Sequence, residues 1–130
     1  MASIFTKIIE GQIPAHKIAE NEYCLAFLDI APITQGHTLV VPKKEIDYLY
    51  DLEDELLTEL NLFAKKVAQA IKKAMLCQRV GVIVAGFEVP HAHIHLIPAN
   101  DMSVFTFEYK KPATQDELAK TADLIRKYFE

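Results

Sequence analysis

The chain has 130 residues, 51% of them hydrophobic, and a formal net charge of −4. That length is expected to form one domain, residues 1–130, with enough apolar content for a real core. Its lysines are dispersed as pairs (Lys43-Lys44, Lys65-Lys66, Lys72-Lys73, Lys110-Lys111) and tryptophan is absent, which argues against a nucleic-acid groove. No apolar run approaches the ~18 residues of a membrane span.

Cys24 and Cys77 lie 53 positions apart with apolar neighbours and no metal-ligand spacing, so both read as reduced and mostly buried. The stretch Met1-Ala2-Ser3-Ile4-Phe5-Thr6-Lys7 lacks the apolar core of a signal peptide. The expected setting is the cytoplasm, with no membrane partner.

In chain order, Ser3 is placed to cap a short helix over residues 4–11. Ile4, Phe5, Ile8 and Ile9 share one of its faces, and Gly11 and Pro14 stop it. Residues 16–19 are a strand candidate, Asn21-Glu22 a turn, and residues 24–30 an apolar strand ending in Asp29 and Ile30. Asp29 is either a solvated turn residue or an acceptor for sugar hydroxyls, as carboxylates are in nucleotide sites. A loop over 32–36 leads to a strand at 37–42, in which His37 shares a face with Leu39 and Val41. Alone, His37 is as consistent with surface as with a site.

Residues 52–75 carry Leu56, Leu60, Phe63, Val67, Ile71 and Ala74 at three- and four-residue steps, the stripe of one long helix. Acidic residues crowd its start and Lys72-Lys73 its end, complementing the helix dipole. Residues 80–86 read as a strand buried on both faces, with Gly86 permitting a bend and Phe87 in the core. Residues 100–112 are irregular, with an edge strand expected at 104–107 that docks on the body or on a second subunit. Thr114-Gln115-Asp116-Glu117 is a capping box that opens a last helix to about residue 129, with Leu118, Ala122, Ile125 and Phe129 on one face.

The stretch between these elements carries the chemistry. In Pro90-His91-Ala92-His93-Ile94-His95-Leu96-Ile97-Pro98, three histidines alternate with apolar residues. That is the pattern of a half-buried strand with His91, His93 and His95 in a row and Ala92, Ile94 and Leu96 toward the core. Three readings compete. Buried structural histidines would each need partners for two ring nitrogens. A metal site is open to a pair two residues apart, but the outer rings of a straight strand are separated by about 13 Å of backbone at ~3.3 Å per residue. Nucleophilic catalysis suits a neutral imidazole whose second nitrogen is oriented by a backbone carbonyl.

The run His91-Ala92-His93-Ile94-His95-Leu96-Ile97 fits His-φ-His-φ-His-φ-φ, with φ apolar, and resembles the histidine-triad (HIT) family of nucleotidyl hydrolases and transferases. Ile4-Phe5-Thr6-Lys7-Ile8-Ile9, Ile13-Pro14-Ala15, residues 24–30 and His37-Thr38-Leu39-Val40-Val41-Pro42-Lys43-Lys44 resemble its Hint branch, so the likeness spans about residues 4–98. It implies an α+β HIT-like fold: an antiparallel sheet of about five strands, one long helix, a short N-terminal helix and a C-terminal helix. It implies a purine nucleoside phosphoramidase working through a nucleotidyl-histidine, or a dinucleoside polyphosphate hydrolase, or a catalytically weak nucleotide-binding module.

By position, the resemblance makes His93 the nucleophile, flanked by His91 and His95, with His37 as a fourth, supporting histidine. It places Asp29 at the ribose hydroxyls and Ile4, Phe5, Ile8, Phe27, Ile30 and Leu39 around the purine. It also implies a homodimer joined through the long helix and a sheet edge, no cofactor and no metal in the chemistry. The chain departs from the pattern in three places. Glu88 stands three residues before His91, where a small hydroxyl residue is typical, and no asparagine lies between Arg79 and His91. Ser3 and Thr6 occupy the region where some bacterial relatives carry zinc-binding cysteines.

Overall fold

A computed structural model describes residues 2–129; Met1 and Glu130, the ends of the expected domain, lie outside the described residues. The elements run α1 (Ile4–Ile9), β1 (Lys17–Glu20), β2 (Cys24–Leu28), β3 (Thr38–Pro42), α2 (Asp54–Met75), β4 (Arg79–Ile83), β5 (Ile94–Ala99) and α3 (Gln115–Tyr128). Single turns of 3-10 helix at Leu49–Asp51, Met102–Val104 and Phe107–Tyr109 complete the order. The strands form one five-stranded antiparallel sheet ordered β1-β2-β3-β5-β4, the α+β architecture expected.

Strand alternation sorts the side chains onto two faces. Ala26, Val40 and Ile94 lie in register across β2, β3 and β5. They join Leu60, Phe63, Val67 and Ile71 of α2 and Leu118, Ala122 and Ile125 of α3 in the main core. Each of these large side chains contributes roughly 1.5–3 kcal/mol by leaving water. Leu25, Phe27, Leu39 and Val41 point the other way and pack on Phe5 and Ile8 of α1. This smaller layer floors the candidate site.

The helices form as their sequence signals require. The Ser3 hydroxyl caps α1 by accepting from the Thr6 N–H, and both reciprocal bonds of the Thr114/Glu117 capping box open α3. Gly11, in the left-handed region at φ +80°, ends α1 at Ile9, two residues short of the expected boundary. Leu52 closes the 3-10 turn before α2 rather than beginning that helix. Both cysteines are free and buried.

Four expectations are corrected. β4 is an edge strand, half-exposed, with Val82 63% accessible, rather than a strand buried on both faces. β5, like β2 and β3, is buried throughout rather than half-buried, because β3 and β4 flank it and the cleft face is covered as well. Residues 104–107 form no strand; Phe105 instead lays its ring on the Gly81 backbone, where an added Cβ would come within 2.3 Å. Phe87 is 95% exposed, on the loop that follows the positive-φ bend at Gly86. Among the described residues no helix is long and apolar enough to cross a membrane.

Candidate active site

The approach to β5 places the histidines. His91 and His93 precede the strand, and the Ala92 N–H is tied to the Ile46 carbonyl at 2.7 Å, holding this segment against the chain beyond β3. His95 lies in β5, paired across with Leu39, which is itself paired with Phe27. A continuous line of side chains, Phe27–Leu39–His95, therefore crosses three strands on the face away from α2 and α3. The ring centroids of His93 and His95 are 4.9 Å apart, and Phe5 sets its ring edge-to-face on both His91 and His93, at 5.7 and 5.0 Å. All three histidines and His37 are buried.

Hydrogen bonds fix where each proton sits. The Ile33 N–H donates to His37 Nδ1 (3.0 Å), so neutral His37 carries its proton on Nε2 and donates it to His95 Nδ1 (2.9 Å). His95 must then be protonated on Nε2. That atom is the buried side-chain nitrogen left without a partner among the described residues. A buried orphan donor is costly unless a ligand meets it. At the other end, His91 Nε2–H donates to the Pro42 carbonyl (2.8 Å) and Nδ1 accepts from the Ser3 hydroxyl (2.9 Å). Between them, His93 Nδ1–H donates to the His91 carbonyl (2.7 Å), leaving the lone pair on Nε2.

Burial keeps the flanking rings neutral. It pushes His95 down to about 3, helped by the neighbouring His93, and His37 down to about 4 against the opposing pull of Asp29. His91 is also lowered, by burial first, while the Pro42 carbonyl works the other way. Glu45 ties this end together. Its Oε1 accepts from the Thr6 hydroxyl and from the Ser3 N–H (2.7 Å), and the Thr6 hydroxyl holds its carboxyl below the usual range. Ser3 and Thr6 thus join a hydrogen-bonded cluster with Glu45 and His91.

A cleft of about 230 Å³ opens above His93 and His95. It is smaller than the ~300–1,000 Å³ usual for a drug-sized ligand, so a ligand of that size fills it only in part. Ile4, Phe5, Ile8, Phe27, Ile30, Leu39, Asp29 and Glu88 all line it, so the structure brings together every residue assigned to nucleotide contact. His91 and His37 stand behind the wall, reaching the cleft through the ring neighbours described above. Ile4 and Ile30 are the exposed lips, at 49% and 63%. Asp29 is buried, its Oδ1 accepting from the Ala31 N–H (2.9 Å) and its Oδ2 paired with Lys110 Nζ. Glu88 is exposed and brings a carboxylate oxygen within 4.8 Å of ring nitrogens of His93 and His95.

Sequence reasoning missed the tail's part in this site. Phe107 packs its ring on His95 at 5.1 Å, and Lys110 lines the cleft. Apolar content at residues 104–107 signalled docking somewhere; nothing local signalled Lys110. A second hollow, of about 390 Å³, reaches another side of His93 and is lined by Tyr48, Tyr50 and Phe87. The larger hollow of about 680 Å³ on β4 contains no histidine.

Two clusters have metal-like composition, Asp29/His37/His95 and Glu88/His93/His95. The donor set is arranged against both. His95 Nε2 holds a proton, and moving it to Nδ1 would set it against the His37 Nε2–H, which the Ile33 N–H holds in place.

This geometry has close relatives. A family model for the HIT domain matches residues 10–102. Over 102 residues the chain is 45% identical to an adenosine 5'-monophosphoramidase of Saccharomyces cerevisiae, a match spanning 77% of this chain and 64% of the yeast protein's length. Over 124 residues it is 40% identical to an uncharacterized HIT-like protein of Methanocaldococcus jannaschii, covering 90% of this chain and 95% of that one. A crystal structure of a Hit-like protein from Bartonella henselae superposes with a TM-score of 0.87 at 32% identity, covering 97% of this chain and 95% of its own. The chain belongs to the HIT family.

Proposed function

We propose that the protein is a purine nucleoside phosphoramidase. The observation that carries this reading is the pairing of two ring atoms: an Nε2 lone pair on His93 and an unpartnered Nε2–H on adjacent His95. In the proposed first step His93 Nε2 bonds to the α-phosphorus as the phosphorus–nitrogen bond breaks, and the departing nitrogen takes up a proton from water to leave as the amine. The His91 carbonyl stabilises the cationic ring that results, because Nδ1–H already points at it. His95 Nε2–H donates toward charge developing around phosphorus. Water or another acceptor then displaces the nucleotide and restores the imidazole.

The apolar layer of Phe5, Ile8, Phe27 and Leu39 takes the purine in this reading, and Asp29 takes the sugar hydroxyls. The hollow lined by Tyr48, Tyr50 and Phe87 gives the leaving group room. No metal or cofactor enters any step. The name of the yeast relative favours a phosphoramidate over a dinucleoside polyphosphate. A homodimer belongs to the proposal, with the open edge of β4 and the α2 residue Leu62, 55% exposed, as the surfaces to cover; sedimentation at micromolar concentration should give twice the chain mass.

Measuring kcat/KM for an adenosine phosphoramidate and for a dinucleoside polyphosphate tests the assignment. Faster turnover of the phosphoramidate is expected. The reverse order would transfer the protein to the second substrate class, and binding of nucleotide without turnover of either would make it a binding module. Glu88, beside both reacting rings, is proposed to tune leaving-group choice. Glu88→Ala should change the relative rates of amines of different charge, and unchanged ratios would make it a surface residue.

A further inference from the structure

Resting on the nucleotide reading above, in which Asp29 takes the sugar hydroxyls, we propose that Lys110 completes that contact by donating to the hydroxyl whose proton Asp29 accepts. Lys110 is then a residue that sets specificity for ribose over deoxyribose.

The pair is built before any ligand arrives. Asp29 follows β2, and its backbone N–H is bonded to the His37 carbonyl at 3.0 Å. Its Oδ1 is held by the Ala31 N–H and its Oδ2 by Lys110, with the two side chains only 8% and 20% exposed. Lys110 reaches this position because the tail is anchored first at β4 and then at the histidine row. Phe105 lies on the Gly81 backbone, Phe107 lies on His95, and the Lys110 N–H closes the last turn on the Phe107 carbonyl.

Hydrogen-bonding capacity remains after these contacts. A carboxylate offers about four acceptor positions and an ammonium three donors, so the Ala31 and Lys110 contacts leave acceptors on Asp29 and donors on Lys110 side by side. Both residues line the cleft. A hydroxyl group is the partner that satisfies both at once, donating its proton to Asp29 and accepting from Lys110. An apolar carbon in its place satisfies neither and leaves partly desolvated charges facing it, the condition under which hydrogen-bonding sites discriminate most strongly. The alternative, in which Lys110 plugs the carboxylate and must be displaced, predicts the opposite sign.

Calorimetric titration of AMP and of its 2'-deoxy and 3'-deoxy counterparts separates these outcomes. The wild-type chain should prefer AMP over at least one deoxy form by about tenfold or more, the size of one hydrogen bond to a charged group. Lys110→Met should narrow that ratio several-fold by weakening AMP while leaving the deoxy form nearly unchanged, and Lys110→Arg should keep most of it. Phe107→Ala, which loosens the tail carrying Lys110, should narrow it too and serves if Lys110→Met does not fold. A ratio unchanged or widened in Lys110→Met overturns the proposal. Equal wild-type affinity for all three ligands also overturns it while sparing the nucleotide reading. No binding of any of them removes both.

Discussion

At one end of the histidine row, His91 has both ring nitrogens partnered, by the Pro42 carbonyl and the Ser3 hydroxyl, and sits behind α1. At the other, His95 has a partner on Nδ1 alone and keeps a buried, protonated Nε2 without one. The same residue type in the same alternating pattern is thus finished structure at one end and an unused donor at the other. A site that stabilises developing charge needs its donors fixed before reaction and unsatisfied until then. His95 meets both conditions, whereas His91 contributes its backbone carbonyl and its packing.

The largest expected effect separates the two ends through rate. His95→Asn, whose shorter amide does not reach the Nε2 position, should lower kcat by about 10²–10³-fold, the usual loss for one donor aimed at transition-state charge, with KM changed little. His91→Asn should cost less in kcat and more in stability, because it leaves the Ser3 hydroxyl and Pro42 carbonyl short of a partner. Steady-state kinetics beside urea melts check both; equal kcat losses would break the contrast.

Acid stability sharpens it next. The folded chain holds His95 at about 3 and His37 at about 4, below the ~6.5 of an exposed histidine. Between those limits the unfolded chain binds more protons, so stability is full above about pH 6.5 and falls as pH drops toward 4. The slope is about 1.4 kcal/mol per pH unit for each proton taken up. Urea midpoints from pH 7.5 to 4.5 measure it, and His37→Asn should flatten the curve more than His91→Asn does.

The smallest effect lies at the finished end. Ser3→Ala removes the α1 cap and the His91 partner together and should cost about 1 kcal/mol of stability, with kcat/KM down less than about tenfold because His93 keeps its own carbonyl partner. A larger kinetic loss would mean that His91 acts on the reacting atoms as well.

Much of this was legible in residue order. Alternation put His91, His93 and His95 opposite Ala92, Ile94 and Leu96, and the long-helix stripe and the Thr114 capping box read correctly because both signals are local. What stayed hidden was non-local. Val80, Val82 and Val84 resemble a central strand, yet whether a strand lies inside a sheet or at its edge depends on strand order, which its own composition does not encode. The bonds that assign the ring protons come from the Ile33 N–H and the Pro42 carbonyl, backbone groups whose part no side-chain pattern reveals. Lys110 reaches Asp29 from 81 positions away through an irregular tail with no periodicity to follow.

The most direct test is mass analysis of protein mixed for milliseconds with an adenosine phosphoramidate and quenched in alkaline denaturant. The account predicts a nucleotidyl adduct on the peptide containing His93, bonded at Nε2 and absent in His93→Asn, whose turnover should fall by about 10⁴-fold or more. An adduct on another residue, or wild-type turnover by His93→Asn, would contradict it.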